Sequence, residues 1–114
     1  MHVESHADAE GVEVVPQVHL QQGPAGTETS VQQFEIEPGA EVPEHDHPHE
    51  QAGYVASGTL TFLVDGEEIA VSAGDSYVVP GGEPHAAENR GDERVVGVDV
   101  FAPPRTDPDW AGEE

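Results

Sequence analysis

The chain has 114 residues, with 24 acidic side chains against three arginines and neither lysine nor cysteine, for a formal net charge of −21. That length holds one domain with its own core, and the missing cysteines exclude a disulfide framework and thiol catalysis. The charge excludes binding to nucleic acid or to an anionic membrane, both of which are held through Lys and Arg clusters.

Residues 1–11 are polar and acidic and read as a flexible N-terminus, in which His2 and His6 are solvated. An acidic opening is unlike a signal peptide, and no apolar run approaches the roughly 18 residues of a membrane span, so a soluble cytoplasmic protein is expected. Residues 12–106 form the expected domain, and 107–114 an acidic tail. Val12 to Leu20 alternates loosely around Pro16 and is expected as an edge strand, where proline is tolerated. Gln21 to Thr27, with Gly23, Pro24 and Gly26, reads as a loop. Val31 to Glu37 places Phe34 and Ile36 on one face and acids and amides on the other, which is a half-buried strand. Strands follow at Gly53 to Ser57 and Thr59 to Val64, and Asp65-Gly66 is the strongest hairpin signal in the chain. Ile69 and Val71 continue the partner strand, Tyr77 to Val79 is a short buried strand, and Arg90 to Glu93 is a polar turn. Val95 to Phe101 is the last strand, ended by Pro103 and Pro104. No helical period is present. Many short strands at turn-spaced intervals predict an all-β antiparallel barrel or double-sheet roll. That regular alternation argues against a disordered acidic chain, and the charge is then read as adaptation to concentrated salt, where repulsion is screened within roughly 3 Å at 1 M.

Two segments carry the chemistry. Gly39 to Gly58 reads Gly, five residues, His45-x-His47, three residues, Gln51, six residues, Gly. Side chains alternate along an extended segment, so His45 and His47 share a side, at a spacing that lets two imidazoles bind one metal ion. Gly74 to Asn89 reads Gly, five residues, Pro-x-Gly, two residues, His85, three residues, Asn. This pair resembles the two motifs of the cupin family, with Gln51 standing where glutamate is usual. The resemblance implies a double-stranded β-helix, the jelly-roll barrel, and one divalent transition metal (Ni, Zn, Mn, Fe or Co) bound by His45, His47, Gln51 and His85. It also implies a homodimer, which the exposed edges of short strands make physically reasonable. A glutamine ligand leaves the full charge of the ion in place, which favours an anionic ligand. Glu50 points to the opposite face and is not assigned as a ligand. His49 either orients a ligand or is a surface histidine.

In the last strand, parity puts Val96, Val98 and Val100 on one face, expected to pack into a core, and Val95, Gly97, Asp99 and Phe101 on the other. A carboxylate within an apolar strand is unfavourable unless it is paired or functional. Asp99 is therefore a metal ligand, an acceptor behind a ligand or a proton-transfer group, unless its face points to solvent. Arg105 follows a stiff Ala102-Pro103-Pro104 tether and can grip a carboxylate through a bidentate fork, whereas Arg90 and Arg94 read as surface residues. The run D-V-F-A-P-P-R, together with H-D-H-P-H-E-Q, looks like the pectin-degradation cupins that convert 4,5-unsaturated uronate monosaccharides to linear 5-keto-4-deoxyuronate. That resemblance implies Asp99, Phe101 and Arg105 as catalytic residues of an isomerase-type enzyme acting on a small anionic sugar. Two other functions fit the same residues: a metal-dependent dioxygenase and a non-enzymatic sugar- or small-molecule-binding cupin.

Overall fold

The structure, a computed structural model, describes residues 1–5 and 11–105. His6 and the expected tail at 107–114 lie outside the described residues. Among the described residues ten strands form the fold: β1 Val12–Val15, β2 Val18–Ala25, β3 Ser30–Ile36, β4 Glu41–His45, β5 Glu50–Ser57, β6 Thr59–Val64, β7 Glu67–Ser72, β8 Ser76–Val79, β9 His85–Glu88 and β10 Val95–Ala102. They build a six-stranded sheet of order β1-β2-β3-β10-β5-β8 and a four-stranded sheet of order β4-β9-β6-β7. Every pairing is antiparallel. No helix among the described residues is long and apolar enough to cross a membrane.

Most expected strands form where alternation places them, and the differences have local causes. Val12 to Leu20 is not one edge strand but most of a hairpin. Pro16 fixes its own φ, Gln17 takes a φ of 64°, and β1 turns back on β2 as the sheet edge. Gln21 to Ala25 then continues β2 rather than forming a loop. The pairing with β3 shifts register between Gln22 and Ala25, where Pro24 would otherwise interrupt the ladder. The Asp65-Gly66 turn joins β6 and β7 as expected, with φ of 52° and 81°. Ile69 and Val78 stay exposed because β7 and β8 are the outer strands of their sheets.

The correction with most consequence concerns β10. Val95, Gly97, Asp99 and Phe101 are the buried face, while Val96, Val98 and Val100 are only half-buried on the outside. Valines can line that outer face because β10 lies between β3 and β5, whose side chains shelter both flanks. The inner face cannot be all valine: a Cβ at Gly97 would overlap the Phe34 ring.

Register turns this alternation into layers across the inside of the six-stranded sheet. Leu20, Phe34, Gly97 and Val55 form one cross-strand row. The next row toward the other end is Gln22, Gln32, Asp99, Gly53 and Tyr77, and beyond it lie Ser30, Phe101, Gln51 and Val79. The interior is thus apolar at one end, with Val18, Phe34, Ile36, Val55, Leu60, Phe62 and Val95 in the core, and polar at the other. Burying roughly 1.5–3 kcal/mol of side chain at each large core position holds the roll together. The polar rows contribute little to that and are free to carry chemistry.

Candidate metal and substrate site

At the polar end the four-stranded sheet supplies two imidazoles. His45 ends β4, His85 begins β9, and the two are direct cross-strand partners with ring centroids 4.4 Å apart. His47 lies in the β4–β5 connection, 5.2 Å from the His85 ring, and its carbonyl accepts a 2.7 Å bond from Gly82 N–H. One ligand nitrogen from each of the three lies within 4.8 Å of the others.

Each ring is also oriented in the same way. Nδ1 of His45 lies 3.0 Å from the Pro43 carbonyl oxygen, Nδ1 of His47 3.1 Å from that of His49, and Nδ1 of His85 2.9 Å from that of Glu83. A carbonyl oxygen only accepts, so each Nδ1 carries the proton and each Nε2 presents a lone pair. Burial, then the Arg105 charge, pushes the pKa of His47 down; burial is also the main cause of the lowered pKa of His85. Both are neutral imidazoles near neutral pH, the form that binds metal.

Gln51 completes the set and shows that the donors fit a cation. Its side chain is 6% exposed and bonds to the Asp99 carboxylate, which can only accept, so the amide NH₂ faces Asp99 and Oε1 faces inward. That Oε1 lies 3.0 Å from His47 Nε2. With the His47 proton on Nδ1, two lone pairs confront each other there, and burial disfavours the imidazolium that would relieve them. A divalent cation among His45, His47, His85 and Gln51 relieves them.

Asp99 is 6% exposed, so the alternative in which its face points to solvent is overturned. Burial raises its pKa to about 6, against the lowering effects of bonds from Tyr77 and Gln51 and the charge of Arg105. The Tyr77 hydroxyl donates to Asp99 Oδ1 at 2.5 Å, and burial and the adjacent carboxylate push the phenol pKa far up, so it stays protonated. Gly53 makes this pair possible, since a Cβ there would overlap both the Tyr77 ring and Asp99 Oδ1.

Arg105 is held by its backbone as well as by its tether. Its N–H donates to Ser30 Oγ at 2.8 Å, and its carbonyl accepts from Gln22 Nε2 at 3.1 Å. The guanidinium carbon sits 5.2 Å from the centre of the Phe101 ring, a cation–π distance. Phe101 in turn meets His47 edge-on at 5.6 Å. A cavity of about 90 Å³ is lined by His45, Gln51, His85, Asp99, Phe101 and Arg105, with Gln32, Tyr77 and apolar side chains.

The structure therefore brings together all seven residues singled out from sequence. His49 contributes its backbone carbonyl to His47, and Glu50 points outward and is exposed. Arg90 pairs with Glu68 and Glu88, and Arg94 with Glu37, on the surface. Asn89 serves the fold, its amide donating to the Ile36 and Glu93 carbonyls at 2.9 Å each. Tyr77, Gln32, Ser30 and Gln22 were not singled out; only the strand register reveals that they adjoin Asp99 and Arg105.

A two-sheet antiparallel roll, closed around one interior with a histidine trio at its polar end, defines the class as a double-stranded β-helix. The chain belongs to the cupin domain family, whose Cupin_2 model matches residues 32–101. By sequence it is similar to the pectin degradation protein KdgF of Dickeya dadantii, with 34% identity over 64 residues, 55% of this chain and 57% of that protein. It is also similar to the H2HPP isomerase of Bacillus subtilis, 33% identical over 67 residues, 59% of this chain and 28% of that protein. The matched regions thus span about a quarter to somewhat over half of these relatives. Among solved structures, KdgF from Halomonas sp. superposes with a TM-score of 0.83 at 25% identity, covering 94% of this chain and 97% of that one. An RmlC-like cupin from Shewanella frigidimarina does so with a TM-score of 0.83 at 28% identity, covering 94% and 95%.

Proposed function

We propose that this cupin is a metal-dependent isomerase that opens 4,5-unsaturated uronate monosaccharides to linear 5-keto-4-deoxyuronate. The observation that carries the reading is the convergence of Asp99, Arg105 and the histidine trio on one small cavity, in a chain similar to KdgF by both sequence and structure. His45, His47, Gln51 and His85 would hold one divalent ion, which supplies Lewis acidity toward sugar oxygens and, with a neutral amide ligand, keeps its full charge.

The other roles belong to the chain itself. Arg105 grips the substrate carboxylate through its fork and anchors the ring against Phe101. Opening breaks the C1–O5 bond as the C1 hydroxyl loses its proton, leaving an aldehyde at C1 and an enol at C5. Ketonisation then adds a proton at C4 and removes one from the C5 oxygen. The formula does not change, so no redox cofactor enters. Asp99, buried and with its pKa raised toward 6, both accepts and returns a proton in these steps. Tyr77 fixes its orientation from behind.

Metal-loaded protein incubated with an unsaturated uronate in concentrated salt should abolish the substrate's ultraviolet absorbance faster than a no-enzyme control, and His85→Ala should remove both the metal and the rate. Loss of absorbance no faster than the control defeats the reading. Oxygen uptake with candidate substrates would instead support the dioxygenase alternative.

A further inference from the structure

We infer that Gln32 is a specificity-determining residue, whose side-chain carbonyl accepts a hydrogen bond from a hydroxyl of the bound molecule and so selects a polyhydroxylated acid over a bare carboxylate. This rests on the proposed uronate chemistry for the identity of the acid, and deepens it by assigning the hydroxyl contact to a side chain rather than to the metal.

Gln32 sits in the middle of β3, directly opposite Asp99 on β10 and Gln22 on β2, with its side chain on the inner face. It is 4% exposed and lines the cavity shared with His45, Gln51, His85 and Arg105. Its Oε1 is fully buried and has no hydrogen-bond partner among the described residues. A buried amide oxygen without a donor is unfavourable, and an apolar side chain of the same size would avoid that cost. Its cross-strand neighbour Asp99 cannot relieve it when ionised, being an acceptor already served by Tyr77 and Gln51. Gln32 lines the cavity, so a molecule bound there can supply that donor. Carbonyl oxygens accept and never donate, so the complementary group is an O–H or N–H. Arg105 and Gln32 line the same cavity, and a guanidinium is matched to a carboxylate as an amide oxygen is to a hydroxyl, so the cavity presents complementary groups for the two ends of a hydroxy acid. Sites built around a buried acceptor reject analogues that lack the donor, because the acceptor is then left unpaired.

The test measures binding, not turnover. Calorimetry on metal-loaded protein compares D-galacturonate with tetrahydropyran-2-carboxylate, which keeps the ring and carboxylate but has no hydroxyl. Wild type should prefer galacturonate. Gln32→Leu should weaken galacturonate binding by about 10-fold while leaving tetrahydropyran-2-carboxylate unchanged. Its melting temperature should not fall, since an unpaired acceptor is removed; Gln32→Met provides the same comparison if leucine does not fold. An equal loss for both acids, an unchanged preference, or no binding of either acid to wild type overturns the inference. Hydroxyl-selective binding lost in Gln32→Leu, in a protein that converts no unsaturated uronate, would defeat the proposed reaction and leave this inference standing.

Discussion

Asp99 and Gln51 explain each other. A glutamine amide can face a carboxylate with its NH₂ and a cation with its oxygen, and Gln51 is placed for both, bonded to Asp99 and with its Oε1 3.0 Å from His47 Nε2. Gln51→Glu would set two carboxylates against each other, so one must take a proton. We therefore expect Gln51→Glu to lower the melting temperature and abolish turnover. The swap Gln51→Glu with Asp99→Asn should recover stability and metal content, measured by elemental analysis, but not activity. Equal stability of the single and double variants would show that the two side chains do not interact. Asp99→Asn alone should keep the metal and lose roughly 100-fold or more in turnover, because the amide cannot accept the proton. The same variant has a stability signature. A carboxyl raised to about 6 in the fold from 3.8 stabilises the protein fully below about pH 4, and that contribution is lost as pH rises through 6. In metal-free protein, denaturant titrations should show Asp99→Asn gaining on wild type across this window, by on the order of 3 kcal/mol at pH 8. A pH-independent difference would mean that Asp99 is not held at a raised pKa.

Strand β10 is where sequence and structure part most instructively. The motif spacings picked out the His45, His47 and His85 cluster, and the alternation and turn signals the antiparallel roll, because both are local: a few residues determine each of them. Parity also separated Asp99 and Phe101 from Val96, Val98 and Val100 correctly. Which face was inside could not be read from the strand itself, since both contain valine, and burial there depends on Phe34 filling the space over Gly97. The same applies to Tyr77 and Ser30, whose partners lie 22 and 75 residues away in sequence. The end of β10 offers a direct check on such long-range contacts. Ser30, 1% exposed, accepts the Arg105 N–H and fixes where the guanidinium is presented. Ser30→Ala should raise the Michaelis constant about 5- to 10-fold with a much smaller change in turnover number, the pattern of lost binding that precedes and persists through reaction. Arg105→Lys should show a larger loss of the same kind, since an ammonium lacks the fork. A Ser30→Ala enzyme that loses turnover with its Michaelis constant unchanged would place the hydroxyl in another role.

For the molecule as a whole, the charge and the site pull in opposite directions. A net charge of −21 repels an anionic sugar at long range, yet the proposed substrate is an anion. Arg90 and Arg94 are engaged in surface ion pairs with Glu68, Glu88 and Glu37, while Arg105 lines the cavity beside the histidine trio. Exposed pairs of that kind contribute little to stability, and less in salt. The acidic surface is therefore largely unrelieved by internal pairing, and relief has to come from the solvent. Concentrated salt shortens the range of repulsion to roughly 3 Å at 1 M, within which the carboxylates scarcely sense one another or an approaching uronate. Contacts inside the small cavity are screened much less, so the local attraction of Arg105 and a bound ion survives where the global repulsion does not. Two outcomes follow from one cause: the melting temperature should climb steadily from dilute to molar KCl, and the Michaelis constant for the unsaturated uronate should fall over the same range. A near-neutral cupin taken through the same series sets the baseline for general salt effects. If the melting temperature is flat while the Michaelis constant still falls, the acidic surface is not a stability adaptation and acts only on the approach of the substrate; if both are flat, the repulsion invoked here has no consequence for this protein.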